Sequence, residues 1–343
     1  MTSLELLAPA KDAETGRAAI DAGADAVYIG AARFGAREKA GNAVEDIAAL
    51  ADYAHRYWAR VYVTVNTLLH DRELPQAVKL LEELHAAKVD AAIVQDMGLL
   101  ECSLPSLPLI ASTQMHNATP EKVAFLEKMG FHRAILAREL TLEEIAAIHA
   151  AAPGIALECF VHGALCVSYS GQCYLSYAFG GRSGNRGECA QPCRKAYTLT
   201  DATGKKLPAG KHPLCLRDLR LIDDLEALLD AGVTSFKIEG RLKDRAYVVN
   251  VVSAYRARLD GIIAAKPDKW RKASSGGVRA EFTPNLEKTF HRGYSTYFLH
   301  GRGAPIGAPD SPKTIGECIG TVNTIVNGRI QVDHPRATLH PGD

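Results

Sequence analysis

One local unit, an apolar run followed by a polar turn and a helix-period segment, repeats from Leu4 to Leu259. It restricts the fold more than any other feature of the chain. The run at 4–8 leads to Asp12, which predicts an N-capped helix through Ala22 stopped at Gly23. Apolar runs follow at 26–29, 61–65, 91–94, 109–112, 134–136, 155–161 and 235–238. Helical periodicity covers 44–58, 75–87, 120–129, 142–151, 219–229 and 247–259. Strands centred near Leu6, Val27, Val63, Ile93, Ile110, Ile135, Leu157 and Phe236 make eight, the number that a closed TIM-like (β/α)8 barrel requires. A doubly wound open sheet has the same pattern, because periodicity does not show closure.

The expected organisation is a barrel over residues 1–262, with an insertion at 163–217 before its last unit. A linker at 263–277, rich in Lys, Pro, Ser and Gly, leads to a small β domain at 278–343, where 289–297 and 315–332 alternate as β-strands with a hairpin turn at Asn327-Gly328. That domain ends at Pro341-Gly342-Asp343 before enough strands appear to close a barrel, so the expectation is either a fragment of a longer protein or an incomplete small domain. The formal net charge of +1 excludes a whole-protein field that draws in nucleic acid, although a local patch is allowed. No run reaches membrane-spanning length and no signal segment opens the chain, so the expected location is cytoplasmic.

Polar side chains gather just after the strands: Asn66, Asp96, Gln114, Glu139, His162 and Glu239, with Glu158 and Arg241 nearby. Barrel enzymes put their chemistry on that carboxyl-terminal face. Any one of these residues could equally cap a helix. Six of the eight cysteines fall between Glu158 and Arg217: Cys159, Cys166, Cys173, Cys189, Cys193 and Cys215. In a reducing compartment such clustering points to metal ligands or catalytic thiols rather than disulfides. Four thiolates can hold zinc or a [4Fe–4S] cluster, and the spacing lacks the C-x2-C pairs of structural zinc sites. Cys102, Cys159 and Cys318 are isolated and read as buried packing residues. Arg182, Arg186, Arg194, Lys195, Lys205, Lys206, Lys211 and Arg217, interleaved with Tyr169, Tyr174, Tyr177 and Phe179, make a local basic and aromatic surface suited to an RNA backbone and an unstacked base. A solvated loop has the same composition.

The stretch E-C-F-V-H-G-A-L-C-V-S-Y-S-G-Q-C at 158–173 closely resembles the signature of peptidase family U32, the collagenase-like proteases. So do L-L-A-P-A at 6–10, S-T-Q at 112–114, G-N-R-G-E-C-A-Q-P-C-R at 184–194 and K-I-E-G-R at 237–241. The resemblance implies a TIM-like barrel followed by a small β-barrel. It also implies RNA base hydroxylation: most like the branch that hydroxylates a cytidine of 23S rRNA, with the tRNA wobble-uridine branch as the alternative. By motif it places a [4Fe–4S] cluster on Cys166, Cys173, Cys189 and Cys215, with Cys193 as an alternative ligand, and makes prephenate the co-substrate.

On this reading Arg241 holds a carboxylate, His162, Glu158 and Glu239 are candidates for catalysis, and Asn66, Asp96 and Gln114 contact substrate. Arg182, Arg186 and Arg194 face RNA. A peptidase using Cys166 and His162, and a non-catalytic RNA-binding module, are the competing classes; neither G-x-S-x-G nor H-E-x-x-H occurs.

Overall fold

The computed structural model describes residues 1–36, 41–316 and 318–333. All eight expected strands form: β1 (Thr2–Ala10), β2 (Ala26–Ala31), β3 (Arg60–Val65), β4 (Ala91–Val94), β5 (Leu109–Ala111), β6 (Arg133–Ile135), β7 (Ala156–Gly163) and β8 (Val233–Ile238). Neighbours pair in parallel from β1 through β7. Glu5 to Ser235 joins β1 to β8, and Glu158 to Ser235 joins β7 to β8, so the sheet closes. The open-sheet alternative is thereby excluded.

Helices α1 (Ala13–Asp21), α2 (Val44–His55), α3 (Leu74–Ala86), α4 (Pro120–Lys128) and α5 (Leu142–Ala151) cover the outside. Their apolar stripes bury Ile47, Leu50, Leu81, Leu84, Val123, Leu126, Ile145 and Ile148, each contributing about 1.5–3 kcal/mol of transfer free energy. The caps follow the sequence. Asp12 accepts from Thr15 N at 2.8 Å, and Thr141 with Glu144 forms a capping box ahead of α5. After β4 the helix shrinks to one 3-10 turn, Met97–Glu101.

Three segments depart from expectation. The stretch at 219–229 is not one helix: Asp218–Arg220 is a strand, antiparallel to the end of β7, and α6 covers only Leu225–Asp230. Leu219 in the strand and Leu221 just after it are buried, an apolar pattern that suits either state. Helix α7 runs from Arg245 to Ala265, and Trp270–Lys272, in the expected linker, pairs in parallel with Thr2–Leu4. The stretch at 289–297 holds only a two-residue strand, Tyr294–Ser295, which pairs with Asp218–Leu219. Phe290, Tyr294 and Tyr297 pack against the main core there. The hairpin at Asn327-Gly328 forms as expected, with both turn residues at positive φ between Thr321–Val326 and Arg329–Asp333. The chain end at 341–343 lies outside the described residues. Among the described residues no helix is long and apolar enough to cross a membrane.

Candidate active site at the barrel mouth

A charged ladder crosses the barrel interior, where layers of branched apolar side chains are usual. Arg133 on β6 donates from Nη1 to Glu5 on β1, and to Glu158 Oε2 on β7 at 2.9 Å. Glu158 Oε1 accepts from Lys237 Nζ on β8 at 2.9 Å, and Tyr62 donates to Glu5 at 2.6 Å. Burial works against the Glu5 carboxylate, yet Arg133 outweighs it and holds the group below its ordinary range. Burial likewise pulls Lys237 below the usual lysine range, against the opposing field of Glu158. Glu158 is fully buried in this ladder, so its role is to fix charge beneath the site.

Above the ladder, at the carboxyl ends of the strands, lies a recess of about 430 Å3. Asn66, Gln114, Glu239 and Arg241 line it as expected, together with Tyr28, Ser112, Arg138, Phe160 and Lys237. Asn66 bridges Ala36 N and Ser112 Oγ, both at 3.0 Å, and Arg241 donates to Thr64 Oγ1 at 2.8 Å.

The other expected residues lie elsewhere. Asp96 accepts from Leu69 N and Gly98 N, so it shapes a loop. His162 is buried on the outer side, its ring 5.5 Å from Tyr255 and 5.6 Å from Tyr294. Burial there, helped by Arg220, pushes its pKa down to about 3, so the imidazole stays neutral and outside the recess. Glu139 accepts from Ser170 N and Oγ, both at 2.9 Å, and clamps the start of the insertion onto the barrel.

The insertion is fastened over this mouth. Gly171 sits at φ +73°, where a Cβ would stand 1.9 Å from the carbonyl oxygen of Gln114, so only glycine allows the approach. Arg186 makes a bidentate pair with Glu73 at 2.8 and 2.9 Å and donates to Leu68 O at 2.7 Å. Arg194 ties the two ends of the insertion through Leu165 O, Leu216 O and Cys215 Sγ, at 2.7, 2.9 and 3.0 Å. Both arginines were expected to face RNA. Their forks are instead committed to the protein, because each finds acceptors far away in sequence.

Arg182 remains exposed, as do Lys195, Lys205, Lys206 and Lys211. Tyr169, Tyr174, Tyr177 and Phe179 are 60–68% exposed beside them. The docking makes a prediction. The paired guanidinium of Arg186 holds Glu73 at about 2, below the ordinary 4.5. A depressed carboxyl stabilises the docked form above pH 4.5, and that contribution disappears as pH falls towards 2. Limited proteolysis of the insertion should therefore accelerate across that window in the native chain. Arg186→Ala should be cleaved faster already at pH 7 and show a weaker acid dependence.

The five insertion thiols approach one another. Cys173 is held above the ordinary thiol range by its hydrogen bond with Cys166, then by burial, with Cys189 adding repulsion. Cys193 is raised by burial and feels Cys166, Cys189 and Cys215. Thiolates gathered in this way repel unless a cation joins them. Among the described residues, no group of three or more His, Cys, Asp or Glu is arranged to hold a single metal ion. Cys159 is buried, as expected, but Cys102 is half-buried and Cys318 exposed, so neither is a core residue. No Cys166–His162 pair forms, since His162 turns to Tyr255 and Cys166 to Cys173.

Tyr297 links the two regions. Burial raises its phenol to about 12, and it feels Glu139, Arg138, Cys166 and Tyr169 together. The insertion reaches the recess where Arg138 N donates to Ser170 Oγ at 3.4 Å and Gly171 packs on Gln114 O.

The model of peptidase family U32 matches residues 11–307. The chain belongs to peptidase family U32. A family relative in Escherichia coli, the 23S rRNA 5-hydroxycytidine C2501 synthase, is 52% identical over 329 residues, covering 96% of this chain and 50% of that protein. The chain thus spans half of that relative's length. The tRNA hydroxylation protein P1 of Bacillus subtilis is 34% identical, over 87% of this chain and 71% of its own. Another U32 relative, the collagenase of Porphyromonas gingivalis, is 31% identical over 88% of this chain and 75% of its own.

Sequence reading missed Arg138, Phe160 and Lys237 in the recess. A signal existed for Lys237: a single charge in the otherwise apolar core of β8.

Proposed function

We propose that this chain carries RNA base hydroxylation, directed at a cytidine of 23S rRNA. The observation that carries the reading is the fastening of a five-thiol insertion over a polar barrel recess, with Tyr297 in the field of both. Likeness to the Escherichia coli synthase across 96% of the chain supports cytidine in rRNA over the tRNA alternative.

The thiols fit a [4Fe–4S] cluster in their donor chemistry: four or five soft sulfur ligands on glycine-rich loops, with Arg194 directed at Cys215 Sγ. Cys166, Cys173, Cys189 and Cys215 would hold it, with Cys193 alongside as the alternative ligand. A cluster bound there supplies electron transfer.

The protein's own side chains divide the remaining work. Arg241 offers a guanidinium to a carboxylate of the co-substrate, for which prephenate is the proposal. Glu239 is the lining group able to take up a proton. Asn66 and Gln114 offer hydrogen bonds to a base. The exposed tyrosines and Phe179 supply stacking faces, and Arg182 with the insertion lysines supplies phosphate contacts. The target base must be unpaired or extruded to reach the recess.

Nucleoside mass spectrometry of cells lacking the gene tests the reading. Loss of 5-hydroxycytidine with 5-hydroxyuridine retained is expected. Loss of 5-hydroxyuridine alone would transfer the assignment to tRNA, and no change in either would reject RNA hydroxylation.

A further inference from the structure

Cations and aromatic rings alternate around the recess. The Arg138 guanidinium lies 5.3 Å from the Phe160 ring centre. Lys237 Nζ stands 5.5 Å from Phe160 and 4.2 Å from Tyr28, and Arg241 is 5.7 Å from Tyr28. These cations differ in what balances them. Lys237 is paired with Glu158, and the ladder of Glu5, Arg133, Glu158 and Lys237 carries two charges of each sign. Arg241 is tied to Thr64.

Arg138, just after β6, has no acidic partner and no hydrogen bond to its guanidinium among the described residues; Phe160 is its only contact of this kind. Its backbone N–H is held by Ser170 Oγ at 3.4 Å, so the insertion clamp fixes its base while its fork stays open. An arginine held this way offers two parallel donors, which match a carboxylate, beside an aromatic face, which matches a flat apolar body.

We propose that Arg138 is the specificity-determining anchor of the recess, taking a carboxylate of a small organic acid whose unsaturated or cyclic body rests on Phe160. This deepens the hydroxylation reading and rests on it, since the co-substrate proposed there is an acid of this class. Arg138 and Arg241 both line the recess, following β6 and β8 on either side of β7, and two guanidiniums favour an acid with two carboxylates over one with a single carboxylate.

Calorimetric titration of the full chain with prephenate and with phenylpyruvate tests the anchor. Arg138→Gln should weaken prephenate binding roughly 10- to 100-fold. Arg138→Lys should recover part of that loss, and the exposed control Arg302→Gln should leave it unchanged. Phenylpyruvate, with one carboxylate, should bind the native chain more weakly and lose less in Arg138→Gln. Equal thermal midpoints for the variants exclude a folding defect. Undiminished prephenate binding by Arg138→Gln overturns the anchor while leaving RNA hydroxylation standing. A native chain that binds neither acid also overturns the anchor; the nucleoside analysis then judges the hydroxylation reading separately.

Discussion

Chain purified without oxygen should carry iron and acid-labile sulfide in near-equal amounts, and Cys166→Ser or Cys173→Ser should lose both. These are the largest effects expected of single changes. Cys166 and Cys173 share a hydrogen bond and lie beside Cys189, so removing either opens the ligand set. Cys102→Ser and Cys318→Ser should keep full iron, since among the described residues those thiols hydrogen-bond to Gly98 O and Gly320 O, outside the insertion. Cys193→Ser decides the fifth thiol: retained iron leaves Cys189 and Cys215 as ligands with Cys166 and Cys173. Stoichiometric zinc without sulfide in native chain would contradict the cluster outright.

Arg133→Met should cost roughly 3–5 kcal/mol of stability, because it leaves two buried carboxylates without their shared cation. Arg133 bridges Glu5 and Glu158 across the barrel, and both acids are at most 3% exposed. Urea unfolding is the measurement, with Arg302→Met as the control. Arg302 meets Glu144 at 3.6 Å on the surface, where such a pair contributes about 0–1 kcal/mol. A loss below about 1 kcal/mol in Arg133→Met would mean that the ladder carries no net charge stress. The ladder's existence is informative in itself. Apolar side chains would fill the same volume at no electrostatic cost. Setting the Lys237–Glu158 pair at the floor of the recess is a use that an apolar core cannot serve.

The strands and most helices were legible because their signals are local. Asp12 and Thr141 cap where their side chains reach backbone three residues on, and Gly23 stops α1 at φ +105°. Closure was legible only as a count of eight, since the β1–β8 pairing joins residues 230 apart, as at Glu5 and Ser235. The site divides on the same principle. Strand ends and cysteines were visible, so Asn66, Gln114, Glu239 and Arg241 fall in the recess as expected. Arg186 and Arg194 looked like surface cations because their acceptors, Glu73 and Leu165 among them, are not neighbours in sequence. His162 misled by adjacency. Glu158 and Phe160 turn inward, and strict alternation would turn His162 inward as well, but the β7–β8 register shifts between Phe160 and His162 and the imidazole joins the outer tyrosines. Arg138 follows β6 next to Glu139, but its place in the recess depends on Phe160 of another strand, a contact that sequence order does not display.

One measurement bears on the central claim most directly: the 5-hydroxycytidine content of 23S rRNA from cells lacking the gene, grown without oxygen, and supplied with either the native chain or its Cys173→Ser form. Restoration of 5-hydroxycytidine by the native chain, and none by Cys173→Ser, is the predicted result. Equal restoration by both forms would contradict the account, because the thiols over the barrel mouth would then have no part in the chemistry.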